Sequence, residues 1–219
     1  MTGPTTHIIG IDLSGPTNTR DTVLVAFREK GEGLMWKDMV CEAGDDDIQH
    51  MAEELSNHGP VVVGLDAPLS YNPGGGDRPG DRALREKISA AGLHPGSVMT
   101  PTMTRMAYLT LRGMSVARAL GTINRHLLRV VEVHPGAALG LRGAAVKDVR
   151  SYKMDAAARE RLLGWMQNQG VDCQTLLKDP DDHQVSACAA ALAAWKWHQG
   201  KPAWLEPAAP PHHPFDFAC

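Results

Sequence analysis

Three short apolar segments separated by turn-forming residues begin the chain. Residues 6–14 (THIIGIDLS), 21–27 (DTVLVAF) and 33–41 (GLMWKDMVC) are rich in aliphatic residues over lengths typical of strands. The spacers between them, at 15–18 and 31–33, contain glycine and are short enough for hairpin connections. We therefore expect an antiparallel three-stranded meander.

The hydrophobic pattern then changes its period. Residues 45–59 begin with three aspartates, carry apolar residues at helical spacing and end at a glycine, which predicts a helix. Residues 60–68 (PVVVGLDAP) and 127–135 (LLRVVEVHP) are continuous apolar runs, as in the central strands of parallel sheets. The order predicts an α/β fold with a mixed sheet, in which an antiparallel meander and parallel strands are flanked by helices.

Four more segments carry a helical pattern, and they span residues 82–91, 103–120, 156–169 and 182–198. The length of 219 residues suits one domain, and we expect it to cover residues 1–219. A Gly/Pro-rich helical insertion is predicted at about 67–120. The Pro-rich C-terminal tail, at about 202–219, is expected to pack as an extended strap or to be partly disordered.

Composition adds a location and excludes some classes of protein. No run of eighteen apolar residues predicts a membrane span, and the N-terminus lacks the basic start of a signal peptide. The four cysteines form no CxxC pair, which argues against a zinc knuckle or a redox motif. We therefore expect a cytoplasmic protein without a membrane partner. The tail and the last helix are candidate surfaces for a homodimer. Trp195 and Trp197, on that helix, are expected either to pack in the core or to lie at an interface.

The net charge of −3 is unevenly distributed. Residues 77–131 contain nine Lys/Arg against three Asp/Glu, and the rest of the chain is acidic. This favours a local site for an anionic ligand over a surface that coats nucleic acid. The alternative is that these basic residues only lie on the solvent-exposed faces of helices.

Three acidic residues lie at or near the ends of the apolar strands. Asp12, Asp66 and Glu132 are each flanked by residues that predict burial, where a carboxylate is costly unless it is paired or binds a cation. Ligands of open α/β sheets bind at the carboxyl ends of strands, and carboxylate oxygens suit Mg²⁺ or Mn²⁺. The alternative is a role in a turn, for Asp66 in Asp-Ala-Pro and for Asp12 before Ser14-Gly15. His134 is a further candidate ligand or base, with a structural role as its alternative.

The sequence also resembles a known family. The resemblance depends on the motifs IGIDLSG (9–15), GLDAPLS (64–70), DRPGDRALRE (77–86), SVMTPTM (97–103) and VEVHPGAAL (131–139). Their order and spacing are similar to domain-of-unknown-function family 429, described as predicted nucleases with a ribonuclease H-like fold. The resemblance implies a ribonuclease H-like fold and an Asp12–Asp66–Glu132 centre that is completed by an acid on the last helix.

At that last position the chain departs from the family pattern. Related chains have an aspartate where this sequence has Ser186. Asp182 lies one helical turn earlier on the same face and is the candidate replacement. The departure puts catalysis in question more than it does the fold.

The expected activity is that of a divalent-metal-dependent nuclease or phosphodiesterase. Asp12, Asp66, Glu132 and Asp182 would be catalytic and would hold two ions, which activate water and stabilise the leaving oxygen. The substrate would be nucleic acid or a small phosphoester.

Candidate substrate contacts come from the insertion. Arg78, Arg82 and Arg85 would bind phosphates, and Tyr71 would stack on a base. The alternatives are surface ion pairs for the arginines and a place over the core edge for Tyr71.

Two other functions remain open from the sequence alone. The segment IDLSGPTNTRDTVLVAF also suggests the phosphate-binding hairpin of actin-like phosphotransferases such as sugar kinases. Those enzymes need two facing lobes, and 219 residues supply one. The other alternative is a non-catalytic ribonuclease H-like binding domain, which the serine at position 186 makes plausible.

Overall fold

One mixed sheet of eight strands organises the protein, for which the computed structural model describes residues 5–173 and 178–219. The order of the strands is β6-β3-β2-β1-β4-β5-β8-β7. Their bounds are His7–Asp12 (β1), Val23–Lys30 (β2), Gly33–Cys41 (β3), Val61–Asp66 (β4), Leu128–Val133 (β5), Val171–Asp172 (β6), Leu205–Glu206 (β7) and Phe217–Ala218 (β8).

Helices cover both faces of this sheet. They span Asp45–Ser56 (α1), Pro79–Ala90 (α2), Thr104–Leu120 (α3), Pro135–Leu141 (α4), Val146–Ser151 (α5), Ala156–Asn168 (α6) and Asp182–His198 (α7). Within the described ranges, none of these helices is long and apolar enough to cross a membrane.

The strand pairing confirms the predicted fold class. β1, β2 and β3 form the antiparallel meander, while β4 runs parallel to β1, and β5 runs parallel to β4. This mixed sheet with flanking helices is consistent with a ribonuclease H-like layout. The predicted helices and long strands all form, with bounds shifted by a few residues at most.

Two regions differ from the expectation. The sequence pattern gave no helix after β5, where α4 and α5 form. The tail is more regular than an extended strap, because β7 and β8 pair with each other and β8 pairs with β5. The tail thereby adds two strands to the edge of the sheet.

The closest contact between layers is that of α7 with β1 and β4. Gly10 and Gly64 are partners in the parallel register, and both face the alanine-rich middle of α7. A Cβ atom on Gly64 would lie 2.5 Å from the carbonyl oxygen of Ala190, and one on Gly10 would meet the backbone at Ala187 at still shorter range. The two glycines therefore let the helix backbone lie directly on the sheet.

The two faces of the sheet have separate cores. α7, α4 and α6 pack on one face together with the side chains of Leu84 and Ile88 from α2. α1 and α3 pack on the other face. The predicted insertion thus contributes to both cores. Because β1, β4 and β5 are parallel, their carboxyl ends meet at the same edge of the sheet.

Candidate acidic site

Asp12 and Asp66 come together at the carboxyl ends of β1 and β4. They are direct partners in the parallel register, so their side chains project from the same face of the sheet, the face that α7 covers. Both remain partly accessible from a cavity at this edge. The structure therefore places these two predicted site residues side by side.

Glu132 lies at the same edge but projects differently. Its register partner on β4 is Leu65 and not Asp66. Side chains alternate along a strand, and the neighbouring Val131 and Val133 pack into the core on the α7 face. The side chain of Glu132 therefore starts from the opposite face of the sheet to that of Asp66.

Arg78 occupies both oxygens of the Glu132 carboxylate. Its Nη1 donates to Oε2 at 2.8 Å and its Nη2 donates to Oε1 at 2.5 Å, while the backbone N–H of Leu69 donates to Oε2 at 2.8 Å. A second acid, Asp81, accepts from Nη2 of Arg78 at 2.7 Å. Arg78 is 5% exposed. Arg78, which was predicted to bind a substrate phosphate, is thus a buried cation whose charge two carboxylates already neutralise.

The Asp12–Asp66 pair brings two acidic groups together at the cavity. Burial raises the pKa of Asp66 well above its usual value, and the adjacent carboxylate of Asp12 raises it further. Burial also raises the pKa of Asp12, against the opposing effect of His183. A cation at this pair would relieve the repulsion between the two carboxylates.

His183, from the first turn of α7, is the group that binds Asp12. Its Nδ1 lies 2.7 Å from Oδ2 of Asp12. This hydrogen bond, opposed in part by burial, raises the pKa of His183 to about 9, so that the imidazole is protonated at neutral pH. His183 was not among the predicted site residues, and its position next to Asp182 at the start of a buried helix is the signal that could have identified it.

The side of α7 that faces the acid pair also carries Asp182 and Ser186. Both line the cavity together with Asp12 and Asp66. The Ser186 hydroxyl lies 3.0 Å from the hydroxyl of Tyr152, and both residues are buried. Burial raises the pKa of Tyr152. At the position where the resemblance implied an acid, this chain therefore has a neutral hydrogen-bonded pair.

The cavity has a volume of about 680 Å³ and two kinds of wall. The acid pair, His183 and the cationic residues Arg150 and Lys153 line it on the polar side. The apolar lining includes Leu93, Val98, Met99, Met106 and Leu109. Neither Arg150 nor Lys153 was singled out from the sequence, because α5 was not predicted.

The other predicted substrate contacts lie outside the residues that line this cavity. Arg85 forms an ion pair with Asp77, and its Nε donates to the carbonyl of Val98 at 2.8 Å. The hydrogen bond from Arg85 lowers the pKa of Asp77 to about 2. Arg82 donates to the backbone carbonyl of Asp77, and Tyr71 is half-exposed. The structure thus does not bring Arg82, Arg85 or Tyr71 to the acid pair.

His134 has a structural environment. Its Nδ1 accepts from the backbone N–H of Ala137, which caps the short helix α4, and its Nε2 lies 3.1 Å from the carbonyl of Ser97. Both ring nitrogens therefore have partners, and burial lowers the pKa of this imidazole.

The donors at the site fit one divalent cation better than two. Within residues 5–173 and 178–219, no three His, Cys, Asp or Glu side chains surround a point as a metal site would. Mg²⁺, however, is commonly bound by one or two carboxylates, with water and substrate phosphate as the remaining ligands. Asp12 and Asp66 provide two such carboxylates at the cavity. Glu132 does not fit as a ligand while Arg78 holds both of its oxygens.

These features define an α/β protein of ribonuclease H-like layout with an acidic cavity at the carboxyl ends of its parallel strands. The chain belongs to the family described as "Protein of unknown function (DUF429)", which matches residues 10–210. No curated protein matches the chain.

Proposed function

We propose that this protein is a divalent-metal-dependent phosphodiesterase in which Asp12 and Asp66 hold Mg²⁺ or Mn²⁺. The observation that carries the proposal is the in-register carboxylate pair, which faces a cavity and has a raised pKa at Asp66. Buried like charges of this kind are unfavourable without a counter-charge, and they occur characteristically at functional sites.

The residues around the pair have separable roles. A bound cation would supply an activated water and neutralise the charge that develops on a phosphodiester. His183 fixes the orientation of Asp12 through its hydrogen bond, and so leaves the second oxygen of Asp12 for other contacts. Asp182 is the acid nearest in sequence to replace the family's missing aspartate, so it is the candidate for any second cation.

A non-catalytic phosphoester-binding domain is the second candidate. It is favoured by Ser186 at the position of the family's acid and by the ion pair that occupies Glu132. Among the described residues, which form a single sheet, no contact favours the phosphotransferase alternative over these two candidates.

The test is calorimetric titration of Mn²⁺ into the metal-free protein and two variants. Asp66→Asn removes one carboxylate of the pair, and Asp46→Asn removes an exposed carboxylate of α1 as the matched control. We expect saturable binding in the parent and in Asp46→Asn, and at least about tenfold weaker binding in Asp66→Asn. Absence of binding up to millimolar Mn²⁺, or equal losses in both variants, would refute the metal site.

Activity separates the two candidates once binding is established. We expect Mn²⁺-dependent hydrolysis of bis(p-nitrophenyl) phosphate by the parent and none by Asp66→Asn. Binding of Mn²⁺ without hydrolysis of this substrate or of oligonucleotides would reject the phosphodiesterase in favour of the binding domain.

A further inference from the structure

Arg150 and Lys153 differ from the other cations near the site. Arg78 and Arg85 are held by Glu132 and Asp77. Arg150 and Lys153 line the cavity, are exposed, and form no ion pair within the part of the chain that the structure describes. They are therefore positive charges at the cavity that are available to a ligand.

The backbone that carries these two cations is firmly held. Tyr152, which lies between them, is buried and bonded to Ser186, and its carbonyl accepts from Nη1 of Arg159 at 2.9 Å. Val149, on the other side of Arg150, is in the core. Anchored neighbours of this kind restrict where the two side chains can reach, and such preorganisation favours binding of a ligand.

Lys153 lies at the same cavity as the acid pair, because Lys153, Asp12 and Asp66 all line it. A ligand in this cavity can therefore contact both Lys153 and a cation held by the aspartates. A phosphate group has the charge and the several oxygens that such a bridging position needs.

The rest of the cavity limits the kind of molecule that carries this phosphate. Met99, Met106 and Leu109 line the cavity on its apolar side, where a flat, weakly polar group would be covered. A volume of about 680 Å³ lies within the range of small-molecule sites. These dimensions favour a molecule of nucleotide size over a duplex that passes through the site.

We propose that Arg150 and Lys153 form the phosphate-binding subsite of this cavity, and that its ligand is a small phosphoester of nucleotide size. This inference rests on the proposed function, since it assigns the substrate class of the same site.

The test is a calorimetric titration of AMP, the type of product that hydrolysis of a nucleotide phosphodiester would leave, in buffer containing a chelator. The variants are Lys153→Ala and Arg150→Ala, with Lys147→Ala as the control, because Lys147 is an exposed residue of α5 that does not line the cavity. We expect Lys153→Ala to weaken binding at least about tenfold, Arg150→Ala to weaken it several-fold, and Lys147→Ala to change it by less than about twofold. Thermal unfolding of each variant checks that all are folded.

Two further outcomes would overturn the inference. AMP that fails to bind the parent, or that binds Lys153→Ala and Lys147→Ala equally well, removes the subsite. Inorganic phosphate that binds as tightly as AMP removes the assignment of ligand size, because the apolar wall would then contribute nothing.

The inference and the proposed function fail separately. The AMP titration needs no metal, and the Mn²⁺ titration reports on the aspartate pair alone. AMP binding that depends on Lys153, without Mn²⁺ binding, supports the subsite and rejects the metal-dependent enzyme. Mn²⁺ binding that depends on Asp66, without an effect of Lys153 on AMP, supports the enzyme and rejects the subsite.

Discussion

The Asp12–Asp66 pair and Glu132 are acids at the same edge of the same sheet, yet their environments are opposite. The two aspartates are register partners that face one another with a single protonated histidine beside them. Glu132 pairs with Leu65, one residue before Asp66, and its carboxylate oxygens accept hydrogen bonds from Arg78 and a backbone amide. A position at the end of a strand is therefore not sufficient to leave a carboxylate available to a ligand. The register and the nearest cation decide which acids remain free for a ligand.

The variant Glu132→Gln is the strongest test of this difference between the two acidic environments. It leaves the buried Arg78 with only Asp81 as a charged partner, so we expect the free energy of unfolding to fall by about 3–5 kcal/mol. Urea denaturation measures this loss. Asp66→Asn, at the other acid environment, is the matched variant, and it should not destabilise the metal-free protein, because it relieves a repulsion. If Glu132→Gln is as stable as the parent and has lost Mn²⁺ binding, then Glu132 is a metal ligand and the contrast is wrong.

A smaller effect is expected from Ser186→Asp, which places a third carboxylate beside the pair. We expect the metal-free protein to lose about 2–3 kcal/mol of stability, because a buried charge replaces the hydroxyl that is bonded to Tyr152. The same variant should bind Mn²⁺ more tightly, by about tenfold, as measured by titration. Ser186→Ala is the control: it loses the hydrogen bond but gains no ligand. Unchanged Mn²⁺ affinity in Ser186→Asp would mean that this position does not face the cation site.

The smallest effect is expected for the ion pair between Asp77 and Arg85. After Arg78, Arg85 is the second arginine of the insertion whose charge an acidic residue neutralises. The pKa of Asp77 falls from 3.8 to about 2 on folding, so the pair stabilises the protein above pH 3.8, and this contribution disappears as the pH falls toward 2. We expect Asp77→Asn to cost about 1–2 kcal/mol near pH 5 and almost nothing near pH 2. Denaturation of parent and variant across this range measures the difference. Arg82→Gln should show a smaller pH dependence, because the charge of Arg82 lowers the pKa of Asp77 less than the hydrogen bond from Arg85 does. A constant deficit in Asp77→Asn would contradict the role of the ion pair.

The sequence was sufficient for the fold class and for the placement of Asp12 and Asp66 at one edge of the sheet. Period and strand length predicted the meander, the parallel strands and the long helices, because each is long enough to display its pattern. Pro135 closes the apolar run of β5, and it also occupies the first turn of α4, where proline is favoured. A seven-residue helix such as α4 shows too few apolar positions to be recognised.

At the site, the sequence did not reveal the contacts between side chains that are far apart in the chain. The proximity of Asp12 and Asp66 follows from two adjacent parallel strands, and the sequence analysis anticipated it. Arg78 and Glu132 are 54 residues apart, and His183 and Asp12 are 171 apart, so no local spacing signals either contact. Arginine is also rarely buried, which made a substrate role for Arg78 the more natural expectation.

The glycine pair beneath α7 has a consequence for how this site can change over evolution. Because helix and strands touch through their backbones at Gly10 and Gly64, their separation does not depend on the volume of any large side chain. The first turns of α7 can therefore exchange one side chain for another while the distance to the sheet stays constant. Ser186, at a position where the family resemblance implied an aspartate, would be a change of this kind. The scaffold tolerates gain or loss of a ligand at α7 without a change of shape, and a substitution at either glycine would alter all of these positions at once.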